Sequence, residues 1–165
     1  VLFRSLRNGL LVKGATQLQG TVTISQLLTV NNSVNVTGNL SIGGTFSAHN
    51  LTSTSNFTIG GHILTGGNAP SVSGSRLGSN GTISISGSDA AGSIAVNLGT
   101  GGGGGVVATV TFHTQYVSTP HILITPIGPV GEFYVSSRST NGFSVAISST
   151  FPSGGGFAFD YLIVQ

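Results

Sequence analysis

Few residues in this chain can do acid–base or nucleophilic chemistry. Its 165 residues include three carboxylates (Asp89, Glu132 and Asp160), four imidazoles (His49, His62, His113 and His121) and no cysteine. Thiolate catalysis, disulfides and Cys-ligated metals are therefore excluded together. Cleaving a glycosidic bond takes two carboxylates facing each other across a sugar. Here the three carboxylates fall in different segments, and no two form a motif. Serine is plentiful, yet no Gly-x-Ser-x-Gly elbow is present. The glycine run over 99–105 lacks the Gly-Lys-Ser/Thr ending of a phosphate loop. The histidines have no ligand-type spacing. The expectation is a protein that is not an enzyme and takes no metal and no cofactor.

Binding chemistry is better supplied. A sugar site wants exposed aromatics beside Asp, Asn or Arg, and Tyr116, Tyr134, Arg138 and Asp160 are the candidates in the C-terminal half. Asp160 has a plainer use as well, satisfying backbone or pairing with Arg138 at an interface. Three of the five Lys and Arg residues lie at Arg4, Arg7 and Lys13, and the others, Arg76 and Arg138, stand apart. Nucleic-acid binding needs clustered cations to displace counterions, so it is not expected. No run approaches the roughly 18 apolar residues that cross a bilayer, so membrane insertion is not expected. Charged residues make up 5% of the chain, against about a quarter in an ordinary soluble domain. Hydroxyls, amides and backbone must hydrate this surface. The absence of cysteine suits an oxidising exterior, and with no Met in it the sequence is expected to be a processed or truncated product.

The elements that would carry such sites begin with a repeat. Residues 9–56 divide into blocks of six: GLLVKG, ATQLQG, TVTISQ, LLTVNN, SVNVTG, NLSIGG, TFSAHN, LTSTSN. The second and fourth positions form two columns. Val22, Leu28, Val34, Leu40 and Phe46 fall in one, and Ile24, Val30, Val36 and Ile42 in the other. Leu10 and Val12 open the columns, and the register slips by one at Phe57 and Ile59 before fading at Ile63. Residues two apart share a face of an extended strand. The sixth position holds Gly, Asn or Gln, and the glycines and asparagines suit the backbone of a corner. His49 falls at position five of its block, which points away from the columns. Asn31, Asn35, Asn39, Asn50, Asn56 and Asn80 each open an Asn-x-Ser/Thr triplet, which a repeat built from Asn, Ser and Thr yields by composition.

One such ribbon cannot bury its own apolar face. Either a single chain coils into a triangular solenoid, or three chains wrap around one axis as a trimeric β-prism. Hexapeptide acyltransferases use the single-chain form with one large aliphatic side chain per block. Two bulky residues per block would overfill that prism; they suit an oligomeric shaft with the nine column residues as its core, or else a wider and flatter single-chain solenoid. A solenoid acyltransferase is the weakest alternative. The sequence Asn-Leu-Ser-Ile-Gly-Gly followed by Thr-Phe-Ser-Ala resembles the shaft repeats of phage tail fibres and related bacterial surface fibres. That resemblance covers about residues 9–66.

Residues 65–81 are rich in Gly, Ser, Asn and Pro and read as a neck. From Thr82 the pattern is that of ordinary strands: TISIS (82–86), SIAVNL (93–98), VVATVTF (106–112), HILITP (121–126), EFYVSS (132–137), GFSVAIS (142–148) and FAFDYLIV (157–164). Seven short strands separated by turn signals predict a β-sandwich or jelly-roll-like head. The glycine run between the second and third strands reads as a flexible loop. Parity places Val110, Phe112, Phe133, Val135, Phe143, Val145, Ile147, Phe157, Phe159, Tyr161 and Ile163 inward. HILITP and DYLIV are apolar on both faces, which calls for a second buried surface such as a trimer interface. The strand order and spacing over 82–165 resemble fibre heads and, loosely, the H-type lectins, trimeric sandwiches that bind sugars. That resemblance implies a glycan or protein receptor at the head.

The organisation expected is therefore all-β: an N-terminal segment (1–8), a hexad shaft (9–64), a neck (65–81) and a sandwich head (82–165). The function expected is that of an extracellular, homotrimeric fibre protein whose head attaches to a cell surface. The alternative is a structural subunit of a homopolymeric filament, with head-to-shaft contacts or a strand donated by the N-terminal segment.

Overall fold

The computed structural model describes residues 12–128, 131–148 and 154–165. The N-terminal segment 1–8 and Leu10 lie outside the described residues. The chain divides into two units, Val1–Ser55 and Asn56–Gln165, and among the described residues it contains no helix.

In the first unit the described backbone forms no ladder, yet it is regular. It bends at Gly14, Gly20, Gln26, Asn31–Asn32, Thr37–Gly38, Gly43–Gly44, His49 and Thr54–Ser55. The bends reach the sixth position of each of the first six blocks and slip by one from His49 on, just before the apolar register does. Gly14 and Gly20 have φ of 127° and 96°, values an L side chain rarely adopts. At the start of the second unit the rhythm continues, with bends at Gly60–Gly61 and Gly67. The apolar columns stand in solvent: Val30, Val36 and Ile42 are each 45% exposed, and Val34 is 69% exposed.

The second unit then builds two antiparallel sheets. Eight strands follow in order: β1 (Ser71–Gly74), β2 (Thr82–Gly87), β3 (Ala91–Asn97), β4 (Gly105–Thr111), β5 (His121–Ile127), β6 (Phe133–Ser139), β7 (Gly142–Ile147) and β8 (Gly156–Val164). One sheet has the order β1-β4-β7-β6 and the other β2-β3-β8-β5. Seven of these strands match the alternating runs. The eighth, β1, lies within 65–81, the stretch read as a neck. Ser-Val-Ser-Gly offers a single apolar side chain, Val72, and pairs with Thr111–Ala108 of β4, so its signal comes from the partner strand.

The core lies between the sheets. Phe157, Phe159, Tyr161 and Ile163 alternate inward along β8, and Val110, Phe143, Val145 and Ile147 meet them from the other sheet. Phe133 lies 5.8 Å from Phe159 and Phe143 lies 5.8 Å from Tyr161, ring centre to ring centre. The inward set expected from parity is buried, with Phe133 and Val135 half-buried at the margin. Ile94, Val96, Leu98 and Val107 complete the core.

The glycine run does not stand off as a free loop. Gly99 N donates to Leu77 O at 2.8 Å, Ser79 and Thr100 exchange hydrogen bonds at 2.9 and 3.1 Å, and Gly103 N donates to Arg76 O at 3.1 Å. The backbones approach so closely that a β-carbon at Gly99 would overlap the Ser79 carbonyl. Glycine is what this approach requires.

Candidate functional site

Candidate side chains are placed by strand parity, and parity separates them. Asp160 points outward from the middle of β8, where the Ser93 hydroxyl donates to its Oδ1. Tyr134 stands on the outer face of β6, opposite Ala146. Arg138 would share that outer face by simple alternation. A bulge between Val135 and Ser137 reverses the parity and puts Arg138 opposite Phe143, a core residue. From there its Nη1 donates to Pro120 O at 2.9 Å and lies 3.2 Å from His121 Nδ1. Arg138 thus crosses from the free edge of one sheet to the free edge of the other. An inward-pointing charge of this kind blunts an edge strand. The expected pairing of Asp160 with Arg138 is not made within the chain, and Tyr116, Tyr134, Arg138 and Asp160 do not converge on one site.

Arg138 lines two shallow clefts beside β6, one shared with β4 and β7 and one with β5, whereas Tyr116 stands in a separate cleft. Tyr116 belongs to the connection from β4 to β5, which carries the chain from one sheet to the other. The clasp that holds this connection is Asp89, in the turn between β2 and β3. Its carboxylate accepts the backbone N–H groups of His113 and Thr114 at 2.8 and 2.7 Å. The Tyr116 hydroxyl donates to Asp89 O at 3.1 Å, and the Tyr161 hydroxyl donates to Ser88 O at 2.6 Å. From the other side, Phe112 N and Tyr116 N donate to Asn141 O and Thr140 O. Both hairpin turns therefore meet the β4–β5 connection.

Beside this clasp opens a cleft of about 340 Å³, lined by Asn68, Asp89, Thr114, Gln115, Tyr116 and Gln165 among others. Asn68 pairs with His113 Nε2 at 2.8 Å. Gln115 Nε2 donates to Thr140 Oγ1 at 2.9 Å, and Gln165 Nε2 donates to Ser118 Oγ at 2.8 Å. Burial and the neighbouring Asp89 charge raise the Tyr116 phenol above its ordinary value of 10.0. Burial, then Asp89, then Tyr116, push Tyr161 up to about 12. Both phenols therefore stay protonated as hydrogen-bond donors at neutral pH.

Asp89 is the one carboxylate lining the cleft, so the pair that acid–base cleavage of a glycoside uses is not assembled there. Among the described residues, no three His, Asp or Glu side chains gather as metal ligands. No described helix is long and apolar enough to cross a membrane. The cleft is a hydrogen-bonding cradle held by a rigid corner. Sequence reading reached Tyr116 and missed Asp89, Asn68, Gln115 and Gln165. An Asp in a hairpin turn is common, and nothing local marks this one as reaching His113 across the sandwich. No protein-family model matches this chain, and no curated protein or solved structure matches it either.

Proposed function

We propose that the chain is a non-enzymatic extracellular fibre protein. Its hexad segment assembles with copies of itself into a trimeric β-prism shaft, and its β-sandwich is the head that meets a cell-surface receptor. One observation carries the reading: the backbone over 12–67 bends every six residues while both apolar columns stay exposed. A single-chain solenoid would ladder each block against the block three further on, and the described residues before Ser71 form no ladder. Copies of the chain can supply the missing strands. Moving nine half-exposed aliphatic and aromatic side chains out of water would contribute on the order of 10 kcal/mol per chain.

The head has a second apolar surface that fits the same reading. On the outer face of β5 and β8, Leu123 and Leu162 are directly opposite each other, 52% and 47% exposed. Ile127 and Val164 extend that face. This is the two-faced character of HILITP and DYLIV. It favours head-to-head contact in the trimer, and equally the filament reading, in which it would meet the shaft of the next molecule.

Light scattering on the purified protein, with negative-stain images of the same sample, tests both readings. A discrete trimer with a knobbed rod is the outcome expected. Long regular filaments would favour the structural polymer, and a stable folded monomer would refute both. Val34→Asp and Ile42→Asp each place an unpaired charge in every chain of a layer and should abolish assembly. Oligomers of normal mass from either variant would show that the columns are not the shaft core.

A further inference from the structure

We infer that the cleft beside Asp89 and Tyr116 binds a neutral, hydroxyl-rich sugar and rejects acidic ones, an inference that rests on the attachment reading of the head. The donors and acceptors that face the cleft can be counted. Ionised Asp89 has about four acceptor positions on its two oxygens, and the His113 and Thr114 N–H groups take two. The amides of Gln115 and Gln165 are held by their NH₂ groups, on Thr140 and Ser118. Their oxygens accept no hydrogen bond among the described residues, and the same is true of Asn68, whose NH₂ group is engaged by His113. The Tyr116 hydroxyl spends its proton on Asp89 O. What remains open is an excess of acceptors around one negative charge, against three side-chain donors: the Thr114 hydroxyl and one N–H each on Gln115 and Asn68.

A ligand for such a cradle must bring several donors and no anionic group. Adjacent hydroxyls of a pyranose do so, and a carboxylate accepts them as charge-assisted bonds. A sialic or uronic acid would bring its own carboxylate against Asp89 with no cation among the lining residues. The size fits: about 340 Å³ lies at the small end of the roughly 300–1,000 Å³ typical of small-molecule sites. The frame is fixed before any ligand arrives, because Asp89 and Tyr116 are already tied to the backbone of the facing turns. A preorganised site loses less freedom on binding.

The test is a printed array of neutral and sialylated glycans probed with the purified oligomer, followed by titration of the best neutral glycan. Binding to neutral glycans, with the sialylated forms of the same glycans not bound, is the expected result. Gln115→Ala removes an exposed amide and its bond to Thr140 without touching the Asp89 clasp, and should weaken the titrated affinity about fivefold while lowering the melting temperature only slightly. Asp89→Asn should weaken it further. If that variant does not fold, the Gln115→Ala and Gln165→Ala variants decide. A preference for sialylated glycans, no glycan binding, or neutral-glycan binding untouched by both amide variants would overturn the assignment. Adhesion of the oligomer to cells without glycan binding would sink this site and leave the attachment reading standing. Glycan binding by a stable monomer would do the reverse, keeping the site and removing the fibre.

Discussion

Replacing Asp89 with Ala takes the acceptor from two backbone donors at once, the N–H groups of His113 and Thr114. Hydrogen bonds to a charged group are each worth about 1.5–3 kcal/mol, and water can replace part of that at a half-buried turn. Asp89→Ala should therefore lower the head's stability by about 2 kcal/mol, read from its denaturant midpoint. The neighbouring tyrosines set a pH dependence. The folded value for Tyr161 is about 12, against 10.0 for a free phenol. Below pH 10 both folded and unfolded chains hold the proton and stability is at its full value. Between pH 10 and about 12 the unfolded chain releases it first, so stability falls as pH rises through that window. Tyr116 adds to the fall with the same sign. Tyr161→Phe should flatten this alkaline slope in denaturant titrations while costing about 1 kcal/mol at neutral pH through the lost bond to Ser88. None of this was visible in the sequence, because Asp89 and His113 are 24 positions apart and their meeting depends on how two sheets face each other.

Strands were legible where both partners alternate. FAFDYLIV shows its buried and exposed rows by eye, and β8 realises them residue for residue. β1 was not legible, because a four-residue strand with one apolar side chain takes its place from β4. The direction of Arg138 was not legible for a related reason. Parity is reliable only up to a bulge, and the extra residue at Ser136 turns the remainder of β6 over. The glycine run was misread because glycine signals two opposite things, freedom and close approach. Here the hydrogen bonds from Gly99, Thr100 and Gly103 to the 76–79 stretch select close approach. Gly99→Val should accordingly destabilise the head by about 1–3 kcal/mol through forced overpacking, with a matching fall in the melting temperature. A Gly101→Ala control meets open space on the loop exterior, where the cost is confined to its φ of 77°.

For the whole molecule, the fibre reading ties stability to assembly. If the columns are buried by partner copies, folding of the hexad segment and association are one equilibrium, and dilution should lower the melting temperature of that segment. The sandwich has its own core and should melt separately, with little concentration dependence. Calorimetry over a wide range of protein concentration resolves the two: one dilution-sensitive transition and one insensitive transition are expected. A single transition that ignores concentration would mean that the exposed columns are not held by partner copies. The hexad pattern itself was fully legible, because two side chains in six repeat on one face. What would cover them was not, since a sequence states which side chains are apolar and leaves any burying surface unnamed.

The bend at every sixth position also bears on how such a gene can change. Removing residues 33–38 deletes one block and joins Asn32 to Asn39, leaving every later column residue in phase with those before it. Removing five or seven residues exchanges the two faces of everything downstream and puts Ser, Thr and Asn where Val and Ile had been. Insertions and deletions in this tract should therefore be tolerated in steps of six. The slip near His49 is the one place where a five-residue step has been absorbed, and there the columns hold Ala48, Thr52 and Thr54, side chains small or polar enough that little depends on which way they face.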